Sequence, residues 1–224
     1  MESSRSVCEF AKRCNTLERL DVVVVNAGCA EQTFQRADGN GREMMLQVNY
    51  LNTVLLATLM VSVLKEKKSN GVTSGRLTLV TSDMALWVKL NEPTGSLLDS
   101  FDTPENSDEV VSSDEVIIYT VNPCTAKGTG LMREATGLPK VIFNAACFLI
   151  GRNKVDAARH YLHSALALGK ESHGSYGDWE IRPYPVVMYT DSGQKMAEQL
   201  WRETLEELKM KDITTTLGRA HWQF

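Results

Sequence analysis

Residues 20–28 read LDVVVVNAG, and the fold follows from them. Four consecutive valines carry no period-2 alternation, which predicts a strand over 20–26 buried on both faces, as in a parallel sheet. The run closes on Asn26, Ala27 and Gly28. Small residues at the carboxyl end of a parallel strand let a ligand approach the backbone closely. The Asn26 amide would serve equally well to bridge a neighbouring strand.

Working outward, residues 4–18 place Val7, Phe10, Ala11, Cys14 and Leu17 on one helical face. A long apolar helix is expected over 41–67, a second strand over 76–82 (RLTLVTS), and a third over 116–122 (VIIYTVN), stopped by Pro123. One or two helices follow in 141–168, the stronger around Lys154–Leu168. A last helix over 192–210 turns Met196, Leu200, Leu205 and Leu208 inward. Strand, helix, strand, long connection, strand, helices: this order predicts an α/β domain with a parallel sheet of three or four strands and helices on both faces. One domain spans 1–210. Within it, residues 92–115 hold eight acidic side chains and no Lys or Arg, which reads as a solvated acidic loop. Residues 211–224 read as a tail.

The composition bounds the function. The 224 residues carry 24 basic and 28 acidic side chains, a net charge of −4, so nothing favours phosphate backbones and no nucleic-acid partner is expected. Five cysteines with no C-x-x-C pair are expected to be reduced thiols, pointing to a cytoplasmic setting. The apolar stretch 44–64 is interrupted by Gln47, Asn49 and Asn52 and fits a buried helix better than a membrane span. The N-terminal residues contain no secretory signal pattern. His160 and His163 stand three apart on a helix, but no carboxylate or cysteine cluster joins them, so no metal site is expected.

Neither G-x-x-x-x-G-K-[ST] nor G-x-G-x-x-G occurs. The features that remain form a series. After the Asn26-Ala27-Gly28 turn, Asn49 sits within an apolar helix, where a buried amide needs partners; it would either kink the helix around a water or position a proton relay. Thr81 and Ser82 end the second strand, where a hydroxyl points into the ligand crevice of an α/β sheet. Asn122 and Pro123 end the third strand, followed by a loop with Thr125 and Thr129.

In order and spacing these features resemble the short-chain dehydrogenase/reductase family, nearest its fungal, retinol-dehydrogenase-like members. The resemblance runs through LDVVVVNAG (20–28), ADGNGREMMLQVNYLNTVLLATLM (37–60), GRLTLVTSDMALW (75–87), VNPCTAKGTGLMRE (121–134), AARHYLHSALALGKESHGSYGDWEI (157–181) and DSGQKMAEQLWRETLEELK (191–209). It implies a truncated Rossmann-like fold, an NAD(P)-dependent reaction of a lipophilic alcohol or ketone, and a place in fungal secondary metabolism. Residue by residue, it implies that Asn26, Ala27 and Gly28 support the sheet and touch the cofactor ribose. Asn49 would hold a relay water, Ser82 would bond the substrate oxygen, and Pro123 and Thr129 would meet the nicotinamide carboxamide. Ser82 and Asn49 are thus the implied catalytic pair, and NADP or NAD the implied cofactor.

The departures are specific. The family opens on a glycine-rich turn and helix that hold the cofactor pyrophosphate; this chain is expected to enter after them. None of the six tyrosines (50, 119, 161, 176, 184, 189) has a lysine four residues on, so the family's Tyr-x-x-x-Lys is absent. The family's Pro-Gly after the third strand is Pro123-Cys124. Two readings follow: an oxidoreductase by descent, or a catalytically inactive remnant or repurposed non-redox member that binds a hydrophobic small molecule or catalyses an isomerisation or cyclisation. With the first strand of the family's order absent, Val22–Val25 would lie at an open sheet edge, so self-association into a homo-oligomer is expected.

Overall fold

The computed structural model describes residues 1–31, 33–38, 41–68, 74–82, 95–100, 116–131 and 136–209. Five strands form one sheet in sequence order: β1 (Val22–Val25), β2 (Gly75–Val80), β3 (Val116–Val121), β4 (Ser175–Gly177) and β5 (Ile181–Arg182). β1 to β4 pair in parallel, and β5 turns back antiparallel on β4. The expected α/β parallel sheet is therefore present, with five strands where three or four were expected.

The register explains the core. Val23 lies beside Leu77 and Ile118, and Val25 beside Leu79, so alternate residues of three strands line one face. Onto it pack α1 (Ser4–Asn15), through Val7 and Ala11, and α2 (Asn52–Lys67), through Leu55, Leu56, Met60, Val61, Val63 and Leu64. The helical stretch Leu46–Lys67 is long and apolar enough to cross a bilayer, but it is mostly buried here as the core helix. On the other face, Arg76 donates to the Leu168 carbonyl at the end of the π-helical segment His163–Ala167, which continues α5 (Lys154–Leu162). Helices thus cover both faces.

Of the two asparagines singled out in the long helix, Asn52 is the buried one and Asn49 is not. Asn52 is fully enclosed; its Oδ1 accepts from the Ser4 hydroxyl at 2.8 Å and its Nδ2 donates to the Met1 carbonyl at 2.5 Å. This bond pair pins α1 to α2 and meets the requirement that buried polar groups be partnered.

Within the span read as a solvated acidic loop, Leu97–Ser100 forms a short helix, α3, whose Leu97 and Leu98 are buried against Leu46, Leu51 and Leu200. The reason is the leucine pair, an apolar anchor among acidic neighbours. Glu203, on α6 (Asp191–Glu207), accepts from the Leu97 and Leu98 backbone N–H groups at 3.1 and 2.8 Å and so caps α3. The remainder of 92–115 other than 95–100, and the tail 211–224, lie outside the described residues. The connection between β3 and β4 holds α4 (Gly137–Ile150) and α5. At the β3–β4 pairing, Gly177 is obligatory: a Cβ there would lie 2.0 Å from the Glu180 carbonyl oxygen and 2.6 Å from the Tyr119 hydroxyl.

Candidate functional site at the carboxyl edge of the sheet

Parallel strands deliver their carboxyl ends to one edge, so Asn26, Ser82 and Asn122 arrive together by topology alone. The edge is laced by backbone bonds: Thr81 N–H to Val121 carbonyl at 2.9 Å, Asn122 N–H to Gly177 carbonyl at 2.9 Å, and Ala30 N–H to Leu131 carbonyl at 3.2 Å. The last of these joins the loop after Gly28 to the loop that follows Thr129.

Asn49 is the clamp of this edge. It is exposed, in contrast to the buried amide expected, yet both its amide atoms are engaged. Oδ1 accepts from the Cys29 N–H at 2.9 Å, and Nδ2 donates to the Cys29 carbonyl at 2.8 Å. It projects from a π-helical turn, Leu46–Leu51, in which the Val48 carbonyl accepts from the Thr53 hydroxyl at 3.0 Å. Such one-turn π segments recur at functional sites because they re-aim a side chain. Here the widened turn presents Asn49 to the loop after β1. Gly28 fits beneath it: a Cβ there would stand 3.3 Å from Asn49 Oδ1.

Asn26, Ala27 and Gly28 are exposed. The Asn26 amide does not bridge to a strand; its Oδ1 accepts from the Tyr161 hydroxyl of α5 at 2.7 Å. Ser82 is exposed at the end of β2, Pro123 is half-buried, and Thr129 is exposed with its hydroxyl 3.4 Å from the Ala126 carbonyl. Cys124 takes φ +60°, the left-handed region that costs a side-chain-bearing residue about 1–2 kcal/mol. Its N–H donates to Asn122 Oδ1 at 2.9 Å, which closes the turn.

Tyr161 went unforeseen, because it lies 135 residues from Asn26 and no spacing rule links them. It does not replace the family's tyrosine–lysine pair. Burial raises its phenol above the ordinary tyrosine value, whereas a lysine partner would lower it. His160 and His163 pack on Trp179, with ring centroids 4.2 and 5.3 Å away. Burial first, then the Arg152 guanidinium beside it, lowers the His160 pKa. Among the described residues no group of three or more His, Cys, Asp or Glu could hold a metal. None of the five cysteines forms a disulfide.

Beside the edge, an apolar cleft of about 530 Å³ runs along the open side of β1, lined by Val22–Val25, Phe10, Leu20, Leu56 and Met60 and reaching Asn26 and Ala27. β1 is the end strand of the described sheet, paired only with β2. Dinucleotides bind α/β sheets where the strand order reverses, over a glycine turn at a helix N-terminus. This sheet advances β1 to β5 in one direction without a reversal. The residues described do not fit a pyrophosphate.

No family model matches the chain. Individual curated proteins do. It is 38% identical over 236 residues to the short chain dehydrogenase/reductase mfmJ of Annulohypoxylon moriforme, covering 95% of this chain and 68% of that one. It is 35% identical to the short chain dehydrogenase virL of Hypocrea virens, and 33% identical to the short-chain dehydrogenase fogG of Aspergillus ruber, covering 93% of this chain and 67% of the relative in each case. The chain spans about two thirds of the length of these relatives. With that similarity over nearly its whole length, on a parallel α/β sheet, the chain belongs to the short-chain dehydrogenase/reductase family of oxidoreductases, which use NAD or NADP.

Proposed function

We propose that the chain binds a lipophilic alcohol or ketone at the carboxyl edge of its sheet and, as written, transfers hydride slowly or not at all. The carrying observation is the clamped edge beside an apolar cleft: Asn49 on Cys29, Ala30 on Leu131, and the space along β1. In this reading Ser82 meets the substrate oxygen, Asn49 positions the loop, and Asn26, Ala27, Gly28, Pro123 and Thr129 are the cofactor-side residues of an NADP- or NAD-linked reaction. Lacking Tyr-x-x-x-Lys, the chain forgoes general acid catalysis worth a factor of about 10² to 10⁴. The fungal relatives support a place in fungal secondary metabolism, and cysteines outside disulfides support a cytoplasmic setting.

Titration with NADPH and NADH by calorimetry, alongside turnover of lipophilic ketones, tests the reading. Millimolar or undetectable nucleotide affinity with residual lipophile binding is expected. Low-micromolar nucleotide affinity with turnover that Ser82→Ala abolishes would overturn it.

The non-redox alternative has its own support. The Tyr161 hydroxyl is committed to Asn26, and among the described residues no cationic neighbour would make it a proton relay. Product mass separates the two: an isomerisation or cyclisation leaves the mass unchanged, whereas oxidation or reduction shifts it by two hydrogens.

A further inference from the structure

One fully enclosed side chain joins several of the pieces that build the carboxyl edge. His160, on α5, is 0% exposed. Its Nε2 meets the Arg152 guanidinium, and its ring packs on Trp179, in the turn between β4 and β5, with centroids 4.2 Å apart. Arg152 is in turn laced to the loop after β3. Its N–H donates to the Thr125 carbonyl and its carbonyl accepts from the Lys127 N–H, both at 2.8 Å. The next residue on α5, Tyr161, donates to Asn26 after β1. The loop after β3, the β4–β5 turn and the turn after β1 are thus all held to one helix, the first two through a single imidazole.

The Arg152 contact fixes the protonation state of that imidazole. A guanidinium has donors and no acceptor, so His160 Nε2 presents its lone pair and the single ring proton sits on Nδ1. Nδ1 is buried with no hydrogen-bond partner among the described residues. A second proton has to enter at Nε2. There it sets a donor against a donor and two cations side by side, out of water. The surrounding charges are Asp156 on α5, His163 in its π-helical extension and Asp178 in the β4–β5 turn. Both carboxylates already hold an arginine, Asp156 with Arg159 at 2.8 Å and Asp178 with Arg182 at 3.1 Å. Burial first, then Arg152, keeps His160 below the ordinary histidine value against the pull of Asp178 and Asp156, and His163 adds to the lowering.

We infer that His160 is an acid-released pin: neutral, it clasps α5 to the loop after β3 and to the β4–β5 turn, and protonation undoes the clasp and loosens the carboxyl edge. The open form takes the proton more readily than the closed one. Opening is therefore favoured as pH falls below the ordinary histidine value of about 6.5, about tenfold per pH unit until the lowered closed-state value is reached. The pin rests on these contacts alone and is independent of any ligand or reaction at the edge.

Residue-resolved hydrogen exchange of the full chain from about pH 7.5 to 5.5, with each rate divided by the intrinsic rate at that pH, tests this. The Lys127 and Arg152 amides should lose protection about tenfold per pH unit below about 6.5, while α2 amides keep theirs. His160→Gln offers Arg152 an acceptor that takes no proton, and should abolish this pH dependence. Arg152→Met removes the neighbouring cation, so the total loss of protection should be smaller and should level off at a higher pH. His163→Gln should leave the slope unchanged. If His160→Gln loses its thermal transition, Arg152→Met carries the test. Protection at Lys127 and Arg152 that stays flat across this range in the folded wild-type protein overturns the inference. So does a slope that survives His160→Gln, or one unaltered by Arg152→Met, or one that His163→Gln removes. A slope shared equally by the α2 amides also overturns it, because that reports global acid unfolding and not a local release.

Discussion

Replacing Asn49 by alanine removes two hydrogen bonds from one peptide, the Cys29 N–H at 2.9 Å and the Cys29 carbonyl at 2.8 Å. A typical bond contributes about 0.5–1.5 kcal/mol net, so the pair is worth about 1–3 kcal/mol. Two effects reduce the loss. Asn49 is exposed, so water reaches the vacated groups, and alanine has the better helix propensity by about half a kcal/mol. The expected net cost is about 1 kcal/mol, a fall in Tm of about 2–4 °C for a domain of this size. Asn49→Asp is the sharper probe. It keeps an acceptor for the Cys29 N–H but turns a carboxylate oxygen towards the Cys29 carbonyl, so it should be less stable than alanine. Urea denaturation of the three proteins gives the ranking Asn, Ala, Asp, and hydrogen exchange should show the Cys29 amide losing protection in the alanine variant. Equal midpoints, or aspartate as stable as asparagine, would refute the clamp and leave Asn49 with no role in holding the loop.

Four further outcomes follow from the structure. Cys124→Gly relieves a left-handed residue while keeping the N–H bond to Asn122, and should raise stability by up to about 1 kcal/mol by urea denaturation. Tyr119→Phe removes a buried hydroxyl with no hydrogen-bond partner among the described residues, whose pKa burial pushes up to about 12, and should be neutral or stabilising by about 1 kcal/mol; a clear loss in thermal melting would expose a partner for that oxygen. Burial pushes the Glu203 carboxyl upwards, but the Leu98 N–H, the Gln199 amide, the Leu97 N–H and the Ser96 hydroxyl together hold it below the usual glutamate value. Its contribution is therefore complete above the ordinary glutamate pKa of about 4.3 and is lost as pH falls through the lowered folded value; Glu203→Gln should flatten that part of a stability–pH curve. Val24→Lys charges the exposed edge of β1 and should shift any micromolar self-association towards monomer in sedimentation velocity, whereas an unchanged profile would show that copies do not meet along this strand.

The valine run 22–25, the RLTLVTS strand and the VIIYTVN strand were legible as strands because an unbroken β-branched, apolar run is a local property; the expected burial of the valine run on both faces is corrected, since β1 ends the described sheet and Val24 is 38% exposed. α1 and α6 were legible as helices, because their apolar residues recur at helical spacing. β4 and β5 were not legible. Ser175–Gly177 and Ile181–Arg182 are too short to show alternation, and they exist because the β3 edge and the Asp178 turn, with its Arg182 ion pair at 3.1 Å, hold them. The buried helix at Leu97 and Leu98 was masked by the acidic residues around it, since charge dominates a composition window while two leucines suffice to anchor a turn. At the candidate site the sequence named Asn26, Asn49 and Ser82 through the order of motifs along the chain. Tertiary structure alone decided what they touch: Asn49 closes on Cys29 because a π turn re-aims it, and Asn26 meets Tyr161 because α5 crosses back over β1. Contacts between residues 20 and 135 positions apart depend on how helices cross a sheet, and no local pattern encodes that crossing.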